Sequence, residues 1–290
     1  MKYIGAIYRP PSEAGSLIIQ ATVGCHHNKC TFCGSYRQKA FAIRPIEEIR
    51  DDLREAQYMG PVDRVFIADG DALCIPQQRL ILILESINEF FPSATRIGIY
   101  ANAANILRKS LDDLKKLRDL KLGIIYMGVE TGDRGLLQRI CKGATYEELV
   151  EAGSRVKQAG ILLSVTVLLG IGGVEGSEAH AKHTADILTD LDPDYVGALS
   201  LMLVPGTPLH DEYEKGLFHV PDPFGLIREL RTMIAESSFS RCVFRSNHAS
   251  NYLPVKATLP RDKDSILAAI DTVLNARDKK HLRPEFLRAL

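Results

Sequence analysis

Residues 16–34 read SLIIQATVGCHHNKCTFCG, an apolar stretch that leads directly into a loop with three cysteines. The apolar part is rich in β-branched residues and ends at Gly24, which is typical of a buried strand followed by a turn. Cys25, Cys30 and Cys33 have the spacing C-x4-C-x2-C. Three thiols this close together predict a metal centre or a redox site at the end of the first strand.

The pattern of a short apolar stretch followed by an amphipathic one repeats from residue 16 to about residue 237. The expected strands, which share a short, β-rich apolar composition, span residues 16–23, 64–68, 96–100, 122–129, 162–169 and 195–203. The expected helices, which repeat apolar residues every three or four positions, span residues 45–58, 77–91, 111–117, 146–159, 178–191 and 222–236. This alternation predicts an α/β fold, specifically a partial (β/α)6 parallel barrel.

The sequence after residue 238 departs from that alternation. It begins as a polar loop and continues as an expected helix over residues 264–278. We therefore expect a barrel domain over residues 1–238 and a C-terminal extension over residues 239–290 that packs on the same domain. Ligands of parallel α/β folds bind at the carboxyl ends of the strands, so the functional residues are expected there.

Charge and cysteine distribution exclude several classes of protein. Lys plus Arg equals Asp plus Glu, and a formal net charge of zero argues against binding to nucleic acid or to an anionic membrane. No apolar stretch has the length of a signal peptide or a membrane span. The other three cysteines are scattered, which is not the pattern of a disulfide framework. We expect a cytoplasmic protein.

The residues of the cysteine loop alone permit two kinds of metal centre. A structural zinc site needs a fourth ligand, which His26 or His27 can supply. An iron–sulfur cube held by three cysteines keeps one iron open for a substrate or a cofactor.

The position of the loop, directly after the first strand of a βα series, resembles the cluster loop of the radical S-adenosylmethionine superfamily. The usual spacing in that family is C-x3-C-x2-C with an aromatic residue before the last cysteine. Phe32 matches the aromatic residue, and one additional residue separates Cys25 from Cys30. The resemblance implies a 4Fe–4S cluster held by Cys25, Cys30 and Cys33, with S-adenosylmethionine as the second cofactor.

Three later segments resemble the cofactor-binding motifs of the same family, and the resemblance covers about residues 16–215. The first contains Asp69, Gly70 and Asp71 and resembles the acid- and glycine-rich segment that takes the methionine amino group. The second contains Glu130 and resembles the G-x-E-S/T-G segment whose acidic residue binds the ribose. The third contains Gly170 and Gly172 and resembles the glycine-rich turn that contacts the adenine.

Two further residues are candidates for contacts with the cofactor. Arg155 offers a guanidinium that matches the methionine carboxylate, although an exposed helical arginine is equally compatible with the sequence. Ser164 lies on the fifth expected strand, where it either faces the ribose or is a small core residue.

Substrate contacts are expected from residues that the cofactor motifs do not use. Asn102 follows the third strand, although asparagine also caps helices well. Residues 245–252 combine several donors and acceptors, as binding loops often do, and a surface loop that is polar only for solvation is the alternative. The candidates in this segment are Arg245, Asn247, His248, Asn251 and Tyr252.

The overall sequence is similar to compact members of the oxygen-independent coproporphyrinogen oxidase and Elp-type branch. The family resemblance implies an iron–sulfur oxidoreductase or lyase that cleaves S-adenosylmethionine to a 5'-deoxyadenosyl radical. The few residues before the first strand and the scattered remaining cysteines argue against a cobalamin domain and an auxiliary cluster. We expect a small or medium organic substrate, either nucleoside-like, as for a queuosine-type lyase, or a tetrapyrrole, and an electron donor such as flavodoxin or ferredoxin.

Two non-catalytic alternatives are a zinc-binding protein and an iron–sulfur electron carrier. An electron carrier is expected to hold its cluster with four cysteines, whereas only three are grouped here.

Overall fold

The computed structural model describes residues 1–289 and consists of short strands alternating with helices. The strands are β1 Leu17–Gln20, β2 Thr22–Val23, β3 Ala42–Ile43, β4 Arg64–Ala68, β5 Arg96–Ala101, β6 Leu122–Glu130, β7 Leu162–Leu169, β8 Tyr195–Ser200, β9 Cys242–Arg245 and β10 Lys256–Leu259. The main sheet has eight strands in the order β1-β4-β5-β6-β7-β8-β9-β10, and β2 pairs with β3 in a separate two-stranded ribbon.

The helices follow the strands in the order expected for βα units. They are α1 Ile46–Ala56, α2 Gln77–Phe90, α3 Ala103–Leu107, α4 Leu111–Asp119, α5 Arg134–Arg139, α6 Tyr146–Gln158, α7 Gly173–Leu191, α8 Pro208–Glu214, α9 Pro223–Glu236 and α10 Lys263–Ala276. Short 3-10 helices complete the described chain.

The described residues form two compact units. The first unit comprises residues 1–28, 35–127 and 151–163, and the second comprises residues 29–34, 128–150 and 164 onward. Within the first unit, β1, β4, β5 and β6 are parallel neighbours. Their registers place Ile19, Ile67, Ile99 and Ile125 side by side in one buried row. Such continuous branched apolar contact is typical of parallel sheets that are covered on both faces.

The second unit contains β7, β8 and β9, which are parallel, and β10, which pairs with β9 in the antiparallel sense. Val165 faces Val196 across the β7–β8 pair, and Val196 faces Phe244 across the β8–β9 pair. Helices α7 and α9 pack closely against each other and contribute buried residues to this unit.

The structure confirms the α/β class and the mostly parallel sheet. The six expected strands are present, although the first is interrupted at Ala21 and the sixth ends at Ser200. Strands β9 and β10 lie in the stretch that we expected to be a polar loop, and each has only four residues. The domain boundary after residue 238 stays a prediction.

Candidate active site

Asp69 anchors the beginning of the cysteine loop in the first unit. Its carboxylate is fully buried, and Oδ2 accepts hydrogen bonds from the Gly24 amide at 3.0 Å, from Gln20 Nε2 at 3.0 Å and from Lys39 Nζ at 2.8 Å. Oδ1 is buried and makes no hydrogen bond within the described residues. A buried carboxylate oxygen without a hydrogen bond suits an additional donor, such as the amino group that the family resemblance implies for this loop.

Asp71 lies together with two asparagines at the ends of β4 and β5. Its buried carboxylate accepts hydrogen bonds from the Asn102 amide at 3.0 Å, from Asn102 Nδ2 at 2.6 Å and from Asn105 Nδ2 at 2.6 Å. Asn102 also caps α3 through Oδ1, which accepts from the Asn105 backbone amide. The structure therefore joins a predicted cofactor residue to a predicted substrate residue. A Cβ atom at Gly70 would lie 2.4 Å from the ring of Tyr36, so this position is closely packed.

Cys74 lies in the same loop region and is half-buried. Burial, followed by the neighbouring charges of Asp71 and Cys25, raises the pKa of the Cys74 thiol to about 12. This side chain therefore stays protonated at neutral pH.

The second half of the cysteine loop belongs to the second unit and is held by backbone hydrogen bonds. The Thr31 amide donates to the Ile140 carbonyl at 3.0 Å, and the Leu209 amide donates to the Thr31 carbonyl at 3.1 Å. Phe32 packs against a buried apolar cluster that includes Ile140 and Leu209. Cys30 and Cys33 are half-buried.

Glu130 and Lys142 form an ion pair beside these thiols. Lys142 Nζ lies 2.8 Å from Glu130 Oε1, and each side chain is 11% exposed. Burial opposes the charge of Lys142, but the charges of Glu130, Cys30 and Cys33 together raise the pKa of its ammonium group. Lys142 is not recognisable as a site residue from the sequence, because a lone lysine after a short helix is usually solvated.

The glycine-rich turn after β7 is closely packed. Gly170 has a φ of +85°, which suits glycine, and a Cβ atom there would lie 2.7 Å from Leu226. Its amide donates to Glu229 Oε2 at 2.6 Å. A Cβ atom at Gly172 would lie 3.0 Å from His180 Cβ. The turn therefore tolerates no larger side chain without rearrangement.

Arg155 and Ser164 have contacts that do not depend on a ligand. Arg155 Nε donates to Glu151 at 2.8 Å, and its Nη1 donates to the Leu107 carbonyl at 3.1 Å. Ser164 is nearly buried on β7 and pairs in register with Tyr195 of β8. Their predicted contacts with the cofactor stay predictions.

The predicted substrate segment at residues 245–252 contains both satisfied and available polar groups. Asn251 is buried, and its amide bonds to Ser200 Oγ and to the Ala198 carbonyl, both at 2.8 Å. Asn247 is exposed, and the Arg245 Nε atom is buried without a hydrogen-bond partner in the described chain. His248 Nδ1 lies 2.9 Å from Ser250 Oγ, so the histidine is held within the segment.

Two arginines near the end of the described chain fasten this segment. Arg283 donates to the carbonyls of His248 and Asn251 at 2.8 and 3.1 Å. Arg288 donates to the Ser250 carbonyl at 2.7 Å and to the Tyr252 hydroxyl at 2.6 Å, and its guanidinium carbon lies 4.1 Å from the centre of the Tyr252 ring. These contacts are not recognisable from the sequence.

The donor set fits an iron–sulfur cluster in its chemistry. Three half-buried thiols in one loop provide soft anionic ligands, and the ammonium of Lys142 lies near two of them. Within residues 1–289, no three His, Cys, Asp or Glu side chains are grouped to hold a single metal ion. The thiolates of a cube bind different irons and therefore stand further apart than ligands around one ion.

Among the described residues, no helix combines the length and the apolar character needed to cross a bilayer.

A family model described as the radical SAM superfamily matches residues 19–184 of the chain. Among curated proteins, heme chaperone HemW of Bacillus subtilis is 22% identical over 205 residues, which are 68% of this chain and 53% of HemW. Biotin synthase of Thermotoga neapolitana is 28% identical over 199 residues, which are 67% of this chain and 68% of that enzyme. The chain thus spans about half the length of HemW.

Solved structures show the same fold. Methylornithine synthase has a TM-score of 0.56 and 20% identity, with 77% of this chain and 63% of that chain covered. Coproporphyrinogen III oxidase from Escherichia coli has a TM-score of 0.55 and 16% identity, with 76% of this chain and 51% of that chain covered.

Proposed function

The chain belongs to the radical SAM superfamily, and from that premise we propose that Cys25, Cys30 and Cys33 hold the 4Fe–4S cluster used by this family. When bound, the cluster supplies the electron that cleaves S-adenosylmethionine to methionine and a 5'-deoxyadenosyl radical. The observation that carries the proposal is the buried Glu130–Lys142 ion pair beside Cys30 and Cys33.

Each member of this ion pair suits a different part of S-adenosylmethionine. The Glu130 carboxylate is an acceptor that matches the vicinal hydroxyls of the ribose. The Lys142 ammonium has three donors, of which one is used by Glu130, and the others suit the methionine carboxylate. In this proposal Lys142 also offsets the negative charge of the thiolates.

The carboxylate of Asp69 is proposed to receive the amino group of the cofactor. Its buried Oδ1 offers an acceptor, while Oδ2 holds the Gly24 amide and therefore the start of the cysteine loop. Asp71 is proposed to act indirectly, by orienting Asn102 and Asn105. Gly70, Gly170 and Gly172 are proposed to allow close approach of the cofactor to the backbone.

We propose a small or medium organic substrate from which the radical takes a hydrogen atom. A nucleoside-like compound, as for a queuosine-type lyase, and a tetrapyrrole are the two candidate classes. Relatives named as a heme chaperone and a coproporphyrinogen oxidase support the tetrapyrrole class, whereas the biotin synthases do not favour either. A flavodoxin or ferredoxin in the cytoplasm is the proposed electron donor.

The segment at residues 245–252 is proposed to contact the substrate. Arg245, Asn247 and His248 offer groups for this role, whereas Asn251 and Tyr252 are engaged in contacts that shape the segment. Replacing His248 and Asn251 by alanine should spare cluster content and substrate-free cleavage of S-adenosylmethionine but impair turnover of the true substrate. Turnover equal to that of the wild type would remove the segment from the substrate site.

Anaerobic reconstitution with iron and sulfide tests the function directly. We expect a brown protein with about four irons per chain that, after reduction with dithionite, converts S-adenosylmethionine slowly to 5'-deoxyadenosine and methionine. A colourless protein with one bound zinc would contradict the proposal and support the zinc-binding alternative. A brown protein that cleaves no S-adenosylmethionine would indicate an electron carrier.

A further inference from the structure

Helix α7 has a stripe of polar side chains facing the interior of the second unit. Ser177, His180 and Thr184 are three or four residues apart and therefore share one face of the helix. His180 and Thr184 are fully buried, and Ser177 is half-buried. Buried polar side chains are costly unless they are hydrogen-bonded, so their partners indicate what the stripe holds in place.

One end of the stripe binds the loop that follows β6. His180 Nδ1 lies 2.8 Å from Thr131 Oγ1, and the Gly132 amide donates to Thr184 Oγ1 at 3.2 Å. A Cβ atom at Gly132 would lie 1.9 Å from the His183 carbonyl oxygen. The loop after β6 therefore packs directly against the backbone of α7, and no side chain fits at this position.

His180 Nδ1 lies near two hydroxyls. It is 2.8 Å from Thr131 Oγ1, which also accepts the Asp133 amide at 3.0 Å, and it is 3.3 Å from Thr184 Oγ1. His180 Nε2 is buried and makes no hydrogen bond within the described residues.

The other end of the stripe binds the glycine-rich turn through Glu229 of α9. Glu229 Oε1 accepts the Ser177 hydroxyl at 2.6 Å, and Oε2 accepts the Gly170 amide at 2.6 Å. His180 Nε2 lies 3.8 Å from Glu229 Oε2, so these two side chains are in contact without a hydrogen bond. The loop after β6 and the turn after β7 are therefore connected through one buried set of side chains, which neither loop could provide alone.

The loop after β6 needs such support because of its backbone. Glu130 has a φ of +67°, a left-handed conformation that costs a residue with a side chain about 1 kcal/mol or more. The next residue, Thr131, is fixed by the bond from its amide to the Val129 carbonyl at 2.9 Å and by His180. Strained residues persist where their neighbours determine the conformation, and here Thr131 and His180 do so.

We propose that His180 and Glu229 are positioning residues that hold the Glu130 loop and the Gly170 turn in the arrangement that binds S-adenosylmethionine. The inference rests on the proposed function, since it takes the cofactor contacts of Glu130 and Gly170 from there. Neither His180 nor Glu229 touches the cofactor in this arrangement.

Two substitutions of His180 distinguish the effect of losing its hydrogen bond from the effect of changing its size. His180→Asn places an amide group near the position of Nδ1, where it can hydrogen-bond to the Thr131 hydroxyl, whereas His180→Leu fills the space without a polar group. In reconstituted protein, we expect His180→Leu to weaken S-adenosylmethionine binding about tenfold, or about 1.4 kcal/mol. His180→Asn should bind within about twofold of the wild type, and iron content should be equal in all three proteins.

The partner residue provides a second, independent variant. Thr131→Val removes the hydroxyl, and with it both the contact with His180 and the acceptor of the Asp133 amide, so it is expected to weaken binding at least as much, while Thr131→Ser retains both. In the double variant His180→Leu/Thr131→Val, the effect should not exceed that of Thr131→Val alone, because that change already removes the hydrogen bond that His180→Leu breaks. Equilibrium dialysis gives the affinities, and thermal unfolding of the same samples identifies variants that merely fold poorly.

His219→Leu is the matched control, because His219 is exposed and its side chain pairs with the exposed Glu175. It should bind the cofactor as the wild type does. If the wild-type protein binds no S-adenosylmethionine, the proposed function fails and the inference with it. If the wild type binds and both His180→Leu and Thr131→Val bind equally well, the inference alone is wrong.

Discussion

Lys142 Nζ lies 2.8 Å from Glu130 Oε1, and only 11% of each side chain is exposed. Two opposite charges in so sheltered a place depend on each other, because either one alone would be a poorly solvated charge. The pair also lies where the loop after β6 meets the thiols of Cys30 and Cys33, as their combined effect on the Lys142 pKa shows. The ion pair therefore stabilises the structure around Glu130, and it also interacts electrostatically with the two thiols.

Replacing Lys142 by methionine should reduce stability more than a typical surface substitution. The change leaves the Glu130 carboxylate without its cation, and we expect a loss of up to about 3 kcal/mol in the free energy of unfolding, measured by urea denaturation. Lys182→Met is the control, since Lys182 and its partner Glu178 are both well exposed and their ion pair should contribute little to stability. Equal losses in the two variants would show that the Glu130–Lys142 pair is not sheltered.

Glu130→Ala should weaken S-adenosylmethionine binding by roughly 1–3 kcal/mol through the loss of a charge-assisted hydrogen bond. Iron content should be unchanged, because Glu130 is not a cluster ligand in the proposal. Equilibrium dialysis of the reconstituted protein gives the affinity. An unchanged affinity would remove Glu130 from the cofactor site.

Alanine at Cys25, Cys30 or Cys33 should abolish retention of the cluster, since two thiolates do not hold a cube firmly. Alanine at Cys74, Cys141 or Cys242 should leave iron content intact. Iron analysis of the six variants after anaerobic reconstitution is the measurement. Cys74→Ala is the most informative control, because the charge of Cys25 already influences the Cys74 pKa. A loss of iron there as complete as in Cys30→Ala would show that the ligand assignment is wrong.

The neighbouring His180 and Glu229 should have opposite effects on stability in mild acid. Burial lowers the pKa of His180 to about 4, so its contribution is present above its ordinary value of 6.5 and is lost as the pH falls. Burial raises the pKa of Glu229 to about 7, so its contribution is present below its ordinary value of 4.5 and is lost as the pH rises. Between about pH 4.5 and 6.5, the two residues change the free energy of unfolding with pH in opposite directions, and their effects cancel.

Single substitutions should reveal the pH dependence of stability that each of the two residues contributes. Relative to the wild type, Glu229→Gln should lose stability on going from pH 7 to pH 4.5, and His180→Asn should gain it, each by up to about 3 kcal/mol. Urea midpoints at several pH values, compared with the wild type at each pH, remove the contribution of other titrating groups. Parallel pH profiles for the two variants would contradict the assigned protonation states.

Much of the fold follows from local patterns in the sequence. The β-branched stretches at β4, β6 and β7 are buried parallel strands, whose continuous apolar composition is easily recognised. Strands β9 and β10 escaped prediction because four residues such as CVFR carry too little periodicity, and their pairing depends on distant partners.

Some residues of the candidate site can likewise be recognised in the sequence, whereas others can be recognised only in the structure. Cys25, Cys30 and Cys33 are recognisable because they are close in sequence, as is Glu130 in its glycine-flanked segment. His180 and Glu229 are 49 residues apart, and only folding brings them to 3.8 Å. Lys142 owes its role to burial, which a single sequence does not reveal at one lysine.

The contacts of Arg288 imply an order of events during synthesis. Residues 246–252 are translated well before Arg283 and Arg288, yet the carbonyls of His248, Ser250 and Asn251 are bonded by those two arginines. The segment therefore lacks these arginine contacts until residues 283 and 288 have been synthesised.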